Sequence, residues 1–422
     1  MIHIPKKECN KSQMLTPSFF KKNLNLSKFS VAQILQQLHS LFGCVYLEND
    51  DQPVIGFLPL HYCVQFKDKF SCYSRHVGLK YSHNEMITSF EQFVEFSPQE
   101  NSLKIEGFQG GYIGFFDYNF AANRQISSNL KAQPNAYMGH YESFLRREND
   151  EWYFVSTEKQ AEQIFKQLLL VLNRPIKADF KLLTSCTAHW KKSEYETAFE
   201  QVQAYIRAGD CYQINLTQAF SAKAEGQLLH TADAFWTLTN APYSGYLKVD
   251  DFEILSCSPE LFIDFEADGQ ITTKPIKGTM PRYTDPVKDQ LSKQALINSQ
   301  KDQAENVMIV DLLRNDLSVF AETGSVQTPK LFQIESFNQV HHMVSEVTAR
   351  LKPEINPLDV LLHALPGGSI TGAPKIRAMQ IIEELEAEQR GVYCGSMGYF
   401  NFDGTGSWNI LIRTVQKQAA DL

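Results

Sequence analysis

The chain has 422 residues, 43% hydrophobic and 12% aromatic, enough to bury one large core or several ordinary ones, which excludes a disordered tail or a disulfide miniprotein. Lys and Arg number 40 against 48 for Asp and Glu, a net charge of -8 that argues against a surface built to grip phosphate backbones. No nucleic acid is expected as a partner.

The N-terminus, MIHIPKKECNKS, is charged and no apolar stretch follows it, so neither a signal peptide nor a membrane span is expected. Eight scattered cysteines without a C-x-x-C pair read as reduced thiols, which points to the cytoplasm and to no membrane partner. From about residue 29 to 170, short apolar runs such as CVYLENDDQPVIGFL and IEGFQGGYIGFFDY are broken by Gly, Pro, Asn and Asp, the rhythm of strands and turns. Ala161 to Leu172 carries Ile164, Phe165, Leu168, Leu169 and Leu172 at helical spacing and ends at Asn173-Arg174-Pro175. We therefore expect a strand-rich N-terminal region over 1–175 and a second region over 188–422.

In the second region, Ser193-Glu194-Tyr195-Glu196 has the form of a capping box. Tyr195, Ala198, Phe199, Val202, Tyr205 and Ile206 form an apolar stripe behind it, and Gly209 stands where a C-terminal cap belongs. CYQINLTQAF alternates with period two, setting Tyr212, Ile214 and Leu216 on one face and Gln213, Asn215 and Thr217 on the other. ELFIDF, a turn at Ala267-Asp268-Gly269 and QITTKPIKGT read as a hairpin, with Lys277 sharing a side with Ile271, Thr273 and Pro275. A partly buried Lys277 just before Gly278 is suited to act as a nucleophile, because burial disfavours the ammonium. On spacing alone a lysine with its head in water is the commoner reading.

Glu260 begins the strand expected to pair with that of Lys277, which makes it a candidate acid or base beside the plainer reading of a strand-end carboxylate. Lys301 to Val319 reads as a helix with Asp302 and Glu305 on one face and apolar contacts from Val307, Val310 and Leu313. Two adjacent carboxylates suit Mg²⁺, although acids also favour a first helical turn for its dipole. His341-His342 stands without an H-E-x-x-H, so zinc has little support. Pro366 to Lys375, PGGSITGAPK, leads into the helix KIRAMQIIEELEAEQ with Pro374 in its first turn. Its glycine-rich entry offers amides to an anion, and Ala373-Pro374 where a Walker A loop has Lys-Ser/Thr excludes nucleotide hydrolysis.

Together, GDCYQINLTQAF, SCSPELF, TKPIKGTMPR, DQAENVMIVDLLRNDL, VHHMVSEV, PGGSITGAPKIRAMQIIEELE and CGSMGYFNFDGTGSWNILIRT make residues 190–415 resemble the chorismate-binding enzyme family. GGYIGFFDY in the N-terminal half is similar to that family more loosely. The resemblance implies an α+β fold, with two antiparallel sheets packed face to face and helices outside. It also implies chemistry on chorismate. Members that use water carry a lysine at the position of Gln213, so ammonia is the implied nucleophile. Anthranilate-forming members, the alternative, have Ala at the position of Lys277, and the PIKGT form is similar instead to the branch that aminates chorismate at C4.

That resemblance implies a route in which the Lys277 amine adds at C2 and expels the C4 hydroxyl, protonated by Glu260, before ammonia attacks C4 and displaces the lysine. It assigns His342 to the leaving hydroxyl, and Tyr399 and Arg413 to the enolpyruvyl carboxylate, where the planar guanidinium suits bidentate pairing. Core packing explains Tyr399 almost equally well. Ser369, Thr371 and Gly372 would lie beside the ring, with Gln213 and Thr279 also substrate-binding and Asp302 and Glu305 holding Mg²⁺. Neither Cys211, which lacks a second elbow glycine, nor Cys9 makes a convincing glutaminase nucleophile, so a glutamine amidotransferase subunit is the implied ammonia source. The product would feed p-aminobenzoate and folate synthesis. Family members continue past the Arg413 strand into a Gly-rich strand and an acidic helix, whereas this sequence ends in QKQAADL. On that comparison half of the metal shell would be missing, and a non-catalytic chorismate-binding or amidotransferase-docking chain is the expectation of a different class.

Overall fold

The computed structural model describes residues 19–76, 78–97, 106–174, 180–386 and 388–418. The N-terminal MIHIPKKECNKS with Cys9, Pro175 at the end of the expected helix, and the last four residues of QKQAADL lie outside the described residues.

Two antiparallel sheets carry the fold. The smaller has eight strands, in the spatial order Phe20–Asn23, Glu151–Ser156, Ser143–Glu148, Val54–Gly56, Val45–Leu47, Tyr243–Val249, Phe252–Ser258 and Thr414–Gln418. The larger has twelve, and its site-bearing half runs Ile276–Pro281, Val340–Arg350, Gln270–Thr273, Leu261–Phe265, Gly406–Asn409, Ser396–Asn401 and Gly111–Phe116. In each sheet a block of strands from the first half of the sequence joins a block from the second at one seam: Tyr246 sits opposite Tyr46 in one, and Tyr399 opposite Ile113 in the other. The two expected regions therefore share one framework.

Period-two patterning explains the layers. In Gly111–Phe116 every residue is buried, with Ile113 and Phe115 entering the core between the sheets and Tyr112 and Phe116 the core on the outer face. Between the sheets, Val45, Leu247 and Ile254 meet Ile113, Met397 and Tyr399, and the Phe115 and Phe252 ring centroids are 6.0 Å apart. Outside the larger sheet, the helices Gln300–Ser318, Pro357–Ala364 and Lys375–Leu385 bring Leu317, Leu361 and Met379 onto Ile271, Phe400 and Trp408. Outside the smaller one, Val31–Leu38 and Ala161–Leu172 lay Ile34, Leu35, Ile164 and Leu168 over Tyr46, Ile55 and Leu145. Ser30 caps the first of these through a capping box with Gln33. The expected layout of two packed sheets with helices outside is the one observed.

Several local expectations change. The helix expected to start at Ser193 runs Lys192–Ala208, because the Glu194 carboxylate, not Glu196, reaches back to accept from the Lys191 amide at 2.6 Å. Gly209 caps it with φ 82, as expected, but of its apolar stripe only Val202 is buried and Phe199 is exposed. CYQINLTQAF is not one long strand. Gln213–Ile214 pairs with Gly372–Ala373, and Phe220–Ser221 pairs elsewhere, since the polar side chains between them bond to the glycine-rich loop and the helix behind it. The helix after PGGSITGAP ends at Leu385, with Pro374 as its N-cap.

Candidate active site

The hairpin turn at Gly269 forms as expected, and Leu261–Phe265 pairs with Gln270–Thr273. Lys274 and Pro275 then break the strand, so the parity that put Lys277 beside Ile271 and Thr273 does not carry across. The Lys277 strand, Ile276–Pro281, pairs with Val340–Arg350, not with the strand that follows Glu260. Its register slips between Ile276 and Thr279, where Gly278 adopts φ +86. A Cβ at Gly278 would lie 2.9 Å from the Asp302 Cβ and 3.0 Å from Leu296, so this glycine lets the strand press against the carboxylate helix. Gly278→Ala is expected to cost about 1–3 kcal/mol through the positive φ and the collision, read as a lower urea midpoint. An unchanged midpoint would contradict the close approach.

The slip turns Lys277 toward the glycine-rich loop. Its side chain is 12% exposed, and Nζ donates to the Ser369 carbonyl at 2.7 Å and stands 3.5 Å from Glu305 Oε1. Glu260 is buried, its backbone held by the Ser258 hydroxyl and by the Ile410 amide. Burial pushes its carboxyl up to about 7, against the opposing pull of the Ser369 hydroxyl, the Lys277 charge and the Ile276 amide. Lys277 and Glu260 thus meet around Ser369 and not across a hairpin. Gln213 joins them from the opposite side, Nε2 donating to Glu305 Oε1 at 2.6 Å while its own Oε1 is buried without a partner.

A second group adjoins the first along the same strand. His342 sits opposite Thr279, with Nδ1 2.9 Å from the Thr279 hydroxyl and Nε2 3.2 Å from Arg413 Nη2. Arginine only donates, so Nε2 accepts and Nδ1 carries the proton. Burial, then the Arg413 charge, lowers the His342 pKa to about 4, leaving a neutral imidazole. A cavity of about 250 Å³ opens here, lined by Pro259, Phe337, Val340 and Arg413 among others.

Other expected residues are placed differently. The Tyr399 hydroxyl accepts from Asn49 at 3.3 Å and its ring meets Phe108 edge-on in the core between the sheets. The Thr371 hydroxyl donates to the Gly367 carbonyl, and Gly372 presses its backbone against Gln213, where a Cβ would lie 2.1 Å from the Gln213 carbonyl oxygen. The amides of Ile370 and Thr371 are spent on the turn Gly368–Ile370, so the loop offers fewer free donors to an anion than expected. Asp302 and Glu305 share a turn of Gln300–Ser318, and of the expected apolar contacts Val310 and Leu313 are buried but Val307 is 40% exposed.

Among the described residues no three His, Cys, Asp or Glu side chains converge as a metal site. Asp302 and Glu305 nonetheless fit Mg²⁺, which takes one or two carboxylates and completes its shell with water and substrate oxygens. Glu305 Oε1 is already engaged by Gln213 and Lys277, which leaves Glu305 Oε2 and the Asp302 carboxylate for an ion.

Sequence reasoning missed the groups that hold the loop. Lys375, buried, donates to Asp316 Oδ2 at 2.9 Å and to the Ala364 carbonyl at 3.1 Å. Arg390, also buried, donates to the Ile370 carbonyl of the loop at 2.9 Å. Nothing in their spacing sets them apart from surface charges.

A model of the family described as chorismate binding enzyme matches residues 43–421, which include every residue of this cluster. The chain belongs to that family. It is 42% identical over 320 residues to aminodeoxychorismate synthase component 1 of Salmonella typhimurium, covering 73% of this chain and 68% of that one. It is 30% identical over 374 residues to the protein of the same name in Bacillus subtilis, covering 83% and 78%. Among solved structures, anthranilate synthase component I from Streptococcus pneumoniae superposes with a TM-score of 0.74 at 29% identity, over 87% of this chain and 84% of that one. No helix among the described residues is long and apolar enough to cross a membrane.

Proposed function

We propose that the chain aminates chorismate to 4-amino-4-deoxychorismate, a step toward p-aminobenzoate and folate, in the cytoplasm, with ammonia supplied by a glutamine amidotransferase subunit. The observation that carries the reading is the meeting of the Lys277 amine and the buried Glu260 carboxyl at Ser369. It agrees with the name shared by the relatives of 40–43% identity.

In this reading the Ser369 carbonyl and Glu305, 3.5 Å from Lys277 Nζ, hold the amine in place, and its ammonium proton passes to water before it reacts. The amine forms a bond to C2 of chorismate, the ring double bonds shift, and the C4 hydroxyl leaves with the proton of Glu260. Ammonia then bonds to C4, the electrons return through the ring, and the C2–nitrogen bond to Lys277 breaks. The unpartnered Gln213 Oε1 accepts from the incoming N–H, a donor that neutral ammonia always offers. Neutral His342, donating to Thr279, and Arg413 hold the face where substrate carboxylate is expected, and Tyr399 lies farther off between the sheets. Mg²⁺ on Asp302 and Glu305, when bound, supplies charge neutralisation for the ring carboxylate.

Glu260 must be protonated to donate. Its pKa is raised to about 7, so the acid form is present below that pH and is lost above it. Lys277 is the charged group facing Glu260, and Glu305 faces that lysine in turn. We expect kcat/KM for chorismate to fall as pH rises through about 7 and Glu260→Gln to abolish that limb; a limb that survives the substitution would contradict the acid role. The test of the overall reaction is chromatography of the product from chorismate, ammonium and Mg²⁺. 4-Amino-4-deoxychorismate is expected, and fluorescent anthranilate would favour the other branch.

A further inference from the structure

The polar face of residues 213–217 splits between two destinations. The Gln213 side chain reaches Glu305 in the cluster, whereas the Asn215 side chain donates to the Ile370 carbonyl at 3.2 Å and the Thr217 hydroxyl reaches Glu386, which forms a buried ion pair with Arg390 on the far side of the glycine-rich loop. Arg390 is 8% exposed and its guanidinium is nearly saturated. Nε and Nη2 pair bidentately with the two Glu386 oxygens at 2.9 and 2.7 Å, and the Tyr118 ring lies 4.7 Å from the guanidinium carbon. Two of the three remaining donors go to backbone: Nη1 to the Ile370 carbonyl at 2.9 Å and Nη2 to the Asn215 carbonyl.

Those two carbonyls sit next to the reacting groups. Ile370 follows Ser369, whose carbonyl receives the Lys277 amine and whose hydroxyl meets Glu260. Asn215 lies two residues from Gln213, which holds Glu305, and its amide donates to the Thr371 carbonyl. Glu386 adds a third tie by accepting from the Thr217 amide and hydroxyl.

We infer that Arg390 is a positioning residue for the amination, a clamp that joins the glycine-rich loop to the Gln213 segment and so fixes Lys277, Glu260 and Glu305 relative to one another. This rests on the proposed reaction for its kinetic consequence only. A planar fork is required, because one flat group must reach two carbonyls and a carboxylate at once, and a lysine ammonium on a single stem does not span them. The placement matters because an error of about 1 Å in reacting groups costs on the order of 10²-fold in rate.

The test uses Arg390→Lys in the full chain, which keeps the charge and removes the fork. Hydrogen exchange at the Asn215, Ile370 and Thr371 amides, all hydrogen-bonded in the clamped arrangement, is expected to speed up at least about tenfold, with the sheet core unchanged. With chorismate and ammonium, kcat is expected to fall on the order of 10²-fold while KM for chorismate moves less than about threefold. Unchanged exchange overturns the clamp whether or not the parent aminates chorismate. A parent that turns over and a variant with kcat within about threefold of it overturn the kinetic role. If the lysine variant does not fold, Glu386→Gln, which weakens the bidentate pair and leaves Arg390 in place, is read by the same exchange, with the same faster rate expected and the same unchanged rate overturning the proposal.

Discussion

Lys277→Ala is expected to lose at least ~10³-fold in kcat with chorismate and ammonium, about 4 kcal/mol of transition-state stabilisation. The amine is the only group of the cluster that donates to the loop carbonyl and faces both Glu260 and Glu305 among the described residues. No neighbouring amine replaces it, since the Lys375 amine is tied to Asp316 and the Ala364 carbonyl. Its contacts are one hydrogen bond to the Ser369 carbonyl and an ion pair with Glu305, outside the apolar cores, so the variant should fold and retain chorismate binding, and the loss should fall on kcat. Steady-state rates measure it; a kcat within about tenfold of the parent would remove the covalent role.

The second large effect is on stability. Lys375→Ala strips the ammonium from a buried pair and leaves the Asp316 carboxylate without it, with burial already pushing its pKa up. Breaking such a pair by removing one partner costs about 3–5 kcal/mol. The pair ties the helix Lys375–Leu385 to Gln300–Ser318, so the helix that follows the loop would loosen from the one that carries Asp302 and Glu305. Urea unfolding should show the loss as a lower midpoint, and Lys375→Met with Asp316→Leu should recover most of it, because two apolar side chains leave no buried charge. A single variant within about 1 kcal/mol of the parent would show that the pair contributes little.

The two-sheet architecture was legible through the family resemblance, and single elements through their side-chain periods and turn residues. Gly111–Phe116, the turn at Gly269 and the cap at Gly209 each carry a local signal that the packed structure keeps. The residues of the site were legible by motif, but not their connections. A two-residue break at Lys274-Pro275 and a slip at Gly278 move Lys277 onto a different neighbour strand, and no periodicity reports such a slip. Lys375 and Arg390 escaped notice because a buried charge becomes visible only once its partners, 59 residues away for Lys375 with Asp316 and 175 for Arg390 with Asn215, are brought beside it. Tyr399 shows the converse: its motif suggested substrate, and its surroundings are aromatic packing and Asn49.

The central claim is that the Lys277 amine bonds to the ring of chorismate. Its most direct measurement is peptide mass spectrometry of the chain incubated with chorismate and Mg²⁺ in the absence of ammonia, then quenched in acid. The account predicts that the peptide containing Lys277 gains the mass of chorismate less one water, and that adding ammonium before the quench discharges it. An unmodified Lys277 peptide, in a preparation that forms 4-amino-4-deoxychorismate once ammonium is added, would contradict it.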